Sequence, residues 1–217
     1  MTPYYQDDAV TIYHGDCREI LPALEFDVIV TDPPYGINYR TSANRSALCA
    51  SYDWPDIHGD DQPFDPWWLL SLDTPMVCFG ANHYAAELPS SPTWLVWDKL
   101  AGLTSKRRVG FNDQADVELA WSNLGGPARL FSQRWMGAMK SGEDAATRRR
   151  HPTEKPVELM RWVIAQTPPG VIADPYAGSG STLRAAKDVG RKAIGIEIEE
   201  RYCEIAAKRM AQEVLPL

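Results

Sequence analysis

Short apolar runs alternate along the chain with stretches of three-and-four spacing, and that alternation reads as strands and helices. Val10-Thr-Ile-Tyr-His14 is β-branched and aromatic and closes on Gly15-Asp16, the mark of a short strand and its turn. Cys17 to Leu24 carries Ile20, Leu21 and Leu24 on one face, which predicts a helix. Phe26 to Thr31 is a nearly unbroken apolar run of the kind covered on both sides, and Asp32-Pro33-Pro34 must end it, because two prolines remove donors from the ladder. Farther on, Pro66 to Leu72 and Asn82 to Leu88 read as helical, whereas Pro75 to Gly80, Thr93 to Trp97 and Asp116 to Trp121 read as strands, the last two as an antiparallel pair. Pro156 opens a helix with Val157, Met160, Val163 and Ile164 on its apolar face. Val171 to Asp174 (strand), Thr182 to Val189 (helix), Lys192 to Glu197 (strand) and Glu200 to Val214 (helix) complete the pattern. Strands alternating with helices predict an α/β fold: a doubly wound, mostly parallel sheet with one antiparallel pair.

Residues 36–62 are polar and aperiodic and read as a long, mobile loop, a length that in a compact domain points to function or disorder. Trp67, Trp68, Trp94, Trp97 and Trp162 fall on apolar faces and are expected in the core.

With 217 residues and 44% hydrophobic side chains, the chain is expected to form one domain over 1–217. It shows no apolar run of membrane-spanning length and opens without a basic, apolar leader, so a cytoplasmic protein is expected. Cys17, Cys49, Cys78 and Cys203 form no Cys-x-x-Cys pair and the four histidines no His-x-x-x-His, so no metal is expected.

Net charge is -7, unfavourable for a partner as anionic as DNA. The average conceals a division: residues 1–98 hold three basic against fifteen acidic side chains, residues 99–155 eleven against six, and residues 156–217 eight of each. The basic middle is therefore where a polyanion is tolerated. Its candidates are Lys106-Arg107-Arg108, Arg134, Lys140 and Arg148-Arg149-Arg150, which read equally as solvated loop charges.

Two motifs carry chemistry. Asp174-Pro-Tyr176-Ala177-Gly178-Ser179-Gly180 lies between an apolar strand and a helix, where glycine lets backbone approach a ligand closely, and Glu197, about twenty residues on, ends the next strand where an acid accepts from ribose hydroxyls. The turn begins with an acid and lacks the third glycine of the pyrophosphate fingerprint, which suits a ligand bearing an ammonium group. Asp32-Pro33-Pro34-Tyr35 supplies a carboxylate, donor-free carbonyls and a flat ring. An exocyclic base amine is a poor nucleophile because its lone pair is conjugated. Two acceptors on its hydrogens draw the nitrogen toward tetrahedral geometry, and an aromatic face suits an extruded base.

Together, Asp32 to Tyr35 and Asp174 to Gly180 resemble the amino-methyltransferases that modify adenine N6 or cytosine N4 in DNA. The catalytic loop preceding the cofactor loop resembles their permuted β class. Gly15-Asp16, His151-Pro-Thr-Glu-Lys155-Pro156 and Gly195-Ile-Glu197 extend the likeness along the chain. The resemblance implies a Rossmann-like methyltransferase fold, S-adenosylmethionine as cofactor and double-stranded DNA as partner, with the target base flipped. It implies that Asp32 and the Pro33 carbonyl hold the target amine, that Pro34 shapes their loop, and that Tyr35 stacks on the base. It places the cofactor among Asp16, Asp32, Lys155, Asp174, Tyr176, Ala177, Gly178, Ser179, Gly180 and Glu197. Asp16 as a turn cap and Lys155 as a solvated charge are equal alternatives.

Asp at the first catalytic position favours adenine, since cytosine-N4 members more often carry Ser there; RNA adenine is a further substrate class, and glutamine-methylating relatives usually show Asn. The segment between the antiparallel strands and the Lys-Pro turn is short, about residues 122–150, so a small target-recognition segment and relaxed specificity are expected. The sequence leaves open a homodimer.

Overall fold

The computed structural model describes residues 1–39, 56–102, 115–136, 139–142, 151 and 153–212. Eleven strands, β1 (Tyr5–Gln6), β2 (Val10–His14), β3 (Val28–Thr31), β4 (Met76–Phe79), β5 (Trp94–Asp98), β6 (Val117–Ser122), β7 (Arg129–Ser132), β8 (Trp135–Met136), β9 (Met139–Lys140), β10 (Ile172–Asp174) and β11 (Ala193–Glu197), are found among these residues. The helices are α1 (Cys17–Ile20), α2 (Trp67–Leu70), α3 (Val157–Ile164), α4 (Ser181–Asp188) and α5 (Glu200–Ala211).

Nine strands form one sheet in the order β1-β2-β11-β10-β3-β4-β6-β5-β7. From β2 to β4 all neighbours are parallel; β6 runs antiparallel to both β4 and β5, and β7 runs parallel to β5 at the edge. The predicted pair Thr93 to Trp97 and Asp116 to Trp121 is thus β5 and β6, with β6 lying between β5 and the parallel block.

Side chains alternate across the sheet with the two-residue period of a strand. Val28, Val30, Val77 and Phe79 point to one face, where α3, α4 and α5 deliver Leu159, Met160, Val163, Leu183 and Ala206. Ile29, Met76, Cys78 and Ala173 point to the other, under Cys17, Ile20, Leu69 and Tyr84. This two-sided cover explains the near-continuous apolar runs of the central strands.

Several elements are shorter than their periodicity predicts. The helix expected over 17–24 becomes α1 followed by a 3-10 turn over Leu21–Ala23, because Pro22 has no N–H to continue the ladder. Of Asn82 to Leu88 only a 3-10 turn over Ala85–Glu87 forms; Leu88 precedes Pro89 and is extended, as proline demands of the residue before it. Pro156 is the extended cap before α3, at φ -61° and ψ 141°, one position ahead of the expected first-turn site. Trp67, expected in the core, is 57% exposed, whereas Trp97 is buried as expected. One turn of α2 cannot bury both Trp67 and Leu69, which lie on opposite sides of it, and Leu69 takes the core.

Within 122–150, expected as a recognition segment, the described part supplies the edge strand β7 and the β8–β9 hairpin. Of the expected loop 36–62, residues 40–55 lie outside the described residues. Its described flanks are tied together: buried Asp60 accepts backbone N–H groups from Tyr35, Gly36, Ile37 and Tyr39 at 3.0, 2.9, 3.3 and 2.6 Å. Among the described residues no helix is long and apolar enough to cross a membrane.

Candidate active site

The parallel strands β2, β3, β4, β10 and β11 all end at one edge of the sheet. There the side chains of Asp16, Asp32, Asp174 and Glu197 border a cavity of about 620 Å³. Crevices outside the carboxyl ends of such strands are where open α/β sheets bind ligands.

Residue 32 and the turn beginning at 174 converge because β3 and β10 are neighbours, with Ala173 paired to Ile29. The Thr31 hydroxyl, one residue before Asp32, donates to Asp174 Oδ1 at 2.8 Å, and the Tyr176 N–H reaches the same oxygen at 3.2 Å. Burial pushes the Asp174 carboxyl up to about 6, against the hydroxyls of Thr182 and Thr31, which stabilise its charge. Glu197 Oε2 accepts the Gly178 N–H at 2.8 Å and Oε1 the Glu199 N–H at 2.8 Å, so the carboxylate clamps the glycine turn to the end of β11. Burial raises its pKa also.

Ala177, Gly178 and Ser179 border the cavity with Asp174 and Glu197. Gly180 faces α5 instead: a Cβ there, at φ +79°, would stand 3.0 Å from the Ala206 methyl, so close packing of α4 against α5 accounts for this glycine. Tyr176 borders the cavity, but its ring packs edge-on against Phe64 and Trp68, at centroid distances of 5.9 and 6.2 Å. Asp16 also borders the cavity while its Oδ1 caps α1 by accepting the Arg18 N–H at 2.8 Å.

Lys155 is not solvated. It is 5% exposed, and its ammonium lies 2.5 Å from Asp32 Oδ2 and 3.2 Å from Glu118 Oε2. The other Glu118 oxygen meets Lys99 at 2.7 Å. Asp32, Lys155, Glu118 and Lys99 thus form a row of alternating charge along the cavity. Burial opposes ionisation of Asp32, Lys155 and Glu118. Even so, Lys155 and Lys99 hold the Glu118 carboxyl down to about 2, and the two carboxylates raise the Lys155 pKa. Asp32 shifts upward, through burial first and the charge of Glu118 after it. The turn that carries Lys155 is itself held from behind, since the Ser181 hydroxyl donates to the Lys155 carbonyl at 2.7 Å and Arg209 pairs with Glu154 at 3.1 Å.

Tyr35 donates from its hydroxyl to Asp32 Oδ1 at 2.5 Å, and its ring stacks on His83 at 5.1 Å with planes 15° apart. Room for that ring depends on Gly80. At φ +70°, a Cβ on residue 80 would stand 1.9 Å from Tyr35 Cε1. Gly80→Ala is therefore expected to expel the ring and to cost about 1–3 kcal/mol through backbone strain and overpacking. A lower urea midpoint with an unchanged m-value would show it.

Of the basic candidates, Lys106, Arg107, Arg108, Arg148, Arg149 and Arg150 lie outside the described residues. Arg134 flanks β8 and Lys140 closes β9; the Lys140 ammonium lies over the Trp135 ring at 4.4 Å. Trp135 in turn borders the cavity and donates to the Glu154 carbonyl at 3.2 Å, so this hairpin sits at the site. No group of three or more metal-ligating side chains occurs among the described residues.

Glu118, Lys99, Asp60, His83 and Gly80 were missed by sequence reasoning. Glu118 alone left a signal: a charged residue inside an apolar strand run.

A doubly wound sheet with two strand-end acids and a glycine turn around one cavity defines a nucleotide-cofactor enzyme of the Rossmann-like type. The sequence matches the N6/N4-type DNA methylases over residues 96–208. YubD of Escherichia coli (strain K12), named as a methylase, is 32% identical over 91% of this chain and 88% of its own. The chain belongs to the N6/N4 DNA methylase family. Two solved structures share its fold. The M1.HpyAVI–SAM complex has a TM-score of 0.58 at 23% identity, covering 94% of this chain and 100% of that one. PvuII DNA methyltransferase, described as cytosine-N4-specific, has a TM-score of 0.63 at 17% identity, covering 99% and 90%.

Proposed function

We propose that the protein methylates the N6 amine of adenine in double-stranded DNA, using S-adenosylmethionine and a flipped target base. The observation that carries this reading is the carboxylate of Asp32, placed with its Pro33-Pro34-Tyr35 loop on the same cavity as the Asp174 turn. The surroundings fit the cofactor. Asp174 offers an acid to its ammonium, Glu197 an acceptor to its ribose, and Ala177 to Ser179 a close backbone, with Asp16 at the far side of the cavity. Bound there, the cofactor supplies an electrophilic methyl group on a sulfonium.

The chain's own groups prepare the amine. Asp32 accepts one amine hydrogen and the Pro33 carbonyl the other, which localises the nitrogen lone pair. The raised pKa of Asp32 suits it to take the proton the nitrogen sheds. Tyr35 offers the base a ring already backed by His83. Lys140 and Arg134 on the β8–β9 hairpin, with the basic clusters at 106–108 and 148–150, serve the phosphates. In this reading residues 36–62 and 122–150 read sequence around the target, within a single methyltransferase domain.

Asp rather than Ser at position 32 supports adenine. Cytosine N4 is the second reading, supported by the likeness to a fold relative described as cytosine-N4-specific. Unmethylated genomic DNA, incubated with tritiated cofactor and digested to nucleosides, is expected to carry label in N6-methyldeoxyadenosine. Label in N4-methyldeoxycytidine would establish the second reading, and label appearing only in a parallel incubation with RNA would overturn both.

A further inference from the structure

Glu118 reaches the site from β6, a strand that carries neither motif. The Lys155 ammonium, 2.5 Å from Asp32 Oδ2 and 3.2 Å from the Tyr35 hydroxyl, occupies an acceptor position of Asp32 that an amine hydrogen arriving from the cavity would contest. Both cannot hold that oxygen in the same direction. When the amine arrives the ammonium must give way, and a buried ammonium moves only where another acceptor is already in place. Glu118 Oε2 is such an acceptor: buried, 3.2 Å from Lys155 Nζ, and without a hydrogen bond of good geometry among the described residues. Its partner oxygen is anchored by Lys99 at 2.7 Å, so the carboxylate cannot swing away.

We propose that Glu118 is a positioning residue that takes over the Lys155 ammonium when the target amine engages Asp32, and returns it when the product leaves. This rests on the reading of Asp32 as the amine acceptor. Anchored by Lys99, the row keeps two cations against two anions, so it sets no net positive charge beside a cationic cofactor.

The role has a pH signature. Asp32 is faced by Lys155 from the turn, Glu118 from β6, Tyr35 from its own loop and Asp174 from the end of β10, with the thiol of Cys78 and the phenol of Tyr84 on the β4 side. Neutralising Glu118 removes a charge that raises the Asp32 pKa, so the acid limb of activity must move to lower pH.

The full-length chain would be assayed with tritiated S-adenosylmethionine and unmethylated genomic DNA. Glu118→Gln is expected to lower kcat by at least about tenfold, keep the cofactor KM within about threefold, and shift the acid limb downward; Glu118→Asp recovers part of kcat. A kcat within about twofold of wild type, or a loss with an unmoved acid limb, overturns the proposal. Should Glu118→Gln unfold, Lys99→Met carries the test under conditions where that variant is folded: kcat falls with the cofactor KM kept if the proposal holds, and an unchanged kcat overturns it. A wild-type protein that leaves DNA unlabelled would instead overturn the reading of Asp32 beneath it.

Discussion

Asp32→Ala is expected to reduce methyl transfer to DNA by about 10³-fold or more while leaving cofactor affinity within about threefold. The proposed reaction needs an acceptor on the amine hydrogen. In this cavity the Asp32 carboxylate is oriented by the Tyr35 hydroxyl on one oxygen, and its other oxygen holds the Lys155 ammonium until the amine arrives. The cofactor groups assigned to Asp174, Gly178 and Glu197 lie on other strand ends and do not depend on it. Removing one partner of a buried ion pair ordinarily destabilises by about 3–5 kcal/mol. Here the loss is smaller, because Lys155 keeps Glu118 at 3.2 Å and the Asp32 side chain is 17% exposed. Asp32→Asn, which keeps the volume, separates lost chemistry from lost packing. Single-turnover transfer with tritiated cofactor, alongside calorimetric cofactor binding, checks both halves, and undiminished transfer by the alanine variant would sink the assignment.

Glu197→Ala is expected to act on the other side, lowering cofactor affinity by about 10- to 100-fold. The carboxylate has two tasks. It accepts the Gly178 and Glu199 N–H groups, holding the glycine turn in shape, and on the proposed reading its remaining lone pairs meet the ribose hydroxyls. A hydrogen bond to a charged group contributes about 1.5–3 kcal/mol, and each 1.4 kcal/mol is about a factor of ten. Glu197→Gln keeps one oxygen for the turn and, being neutral, escapes the burial that raises the carboxyl pKa. Its fold should therefore be at least as stable as that of the alanine variant while its affinity still falls. Binding titrations of both variants decide the matter, and wild-type affinity in each would remove Glu197 from the cofactor site.

Both variants test residues legible before any coordinates, and the reason is local. Asp32 and Glu197 each follow an apolar run, and Asp174 ends one, and in an open α/β sheet the end of a parallel strand is where a polar side chain meets ligand. Prolines after Asp32 and glycines after Asp174 punctuate those ends by backbone chemistry alone. The two-sided burial of β3, and the antiparallel relation of β5 and β6, were legible for the same reason: nearest-neighbour patterns encode them.

What sequence could not decide was which distant side chains meet. Lys155 lies 123 residues from Asp32, and its ammonium lands on that carboxylate because Ser181 and α5 hold its turn from behind. Glu118 arrives because β6 inserts antiparallel between β4 and β5, which brings its first residues to the edge where the parallel strands finish. His83 covers Tyr35 only because Gly80 leaves the ring room. Thus the sequence by itself determined the fold class, the two motif loops and the acids that end their strands, through short-range periodicity and turn chemistry. The tertiary structure alone decided the charge environment of the reacting carboxylate, because buried ion pairs depend on distances between segments that no local pattern records.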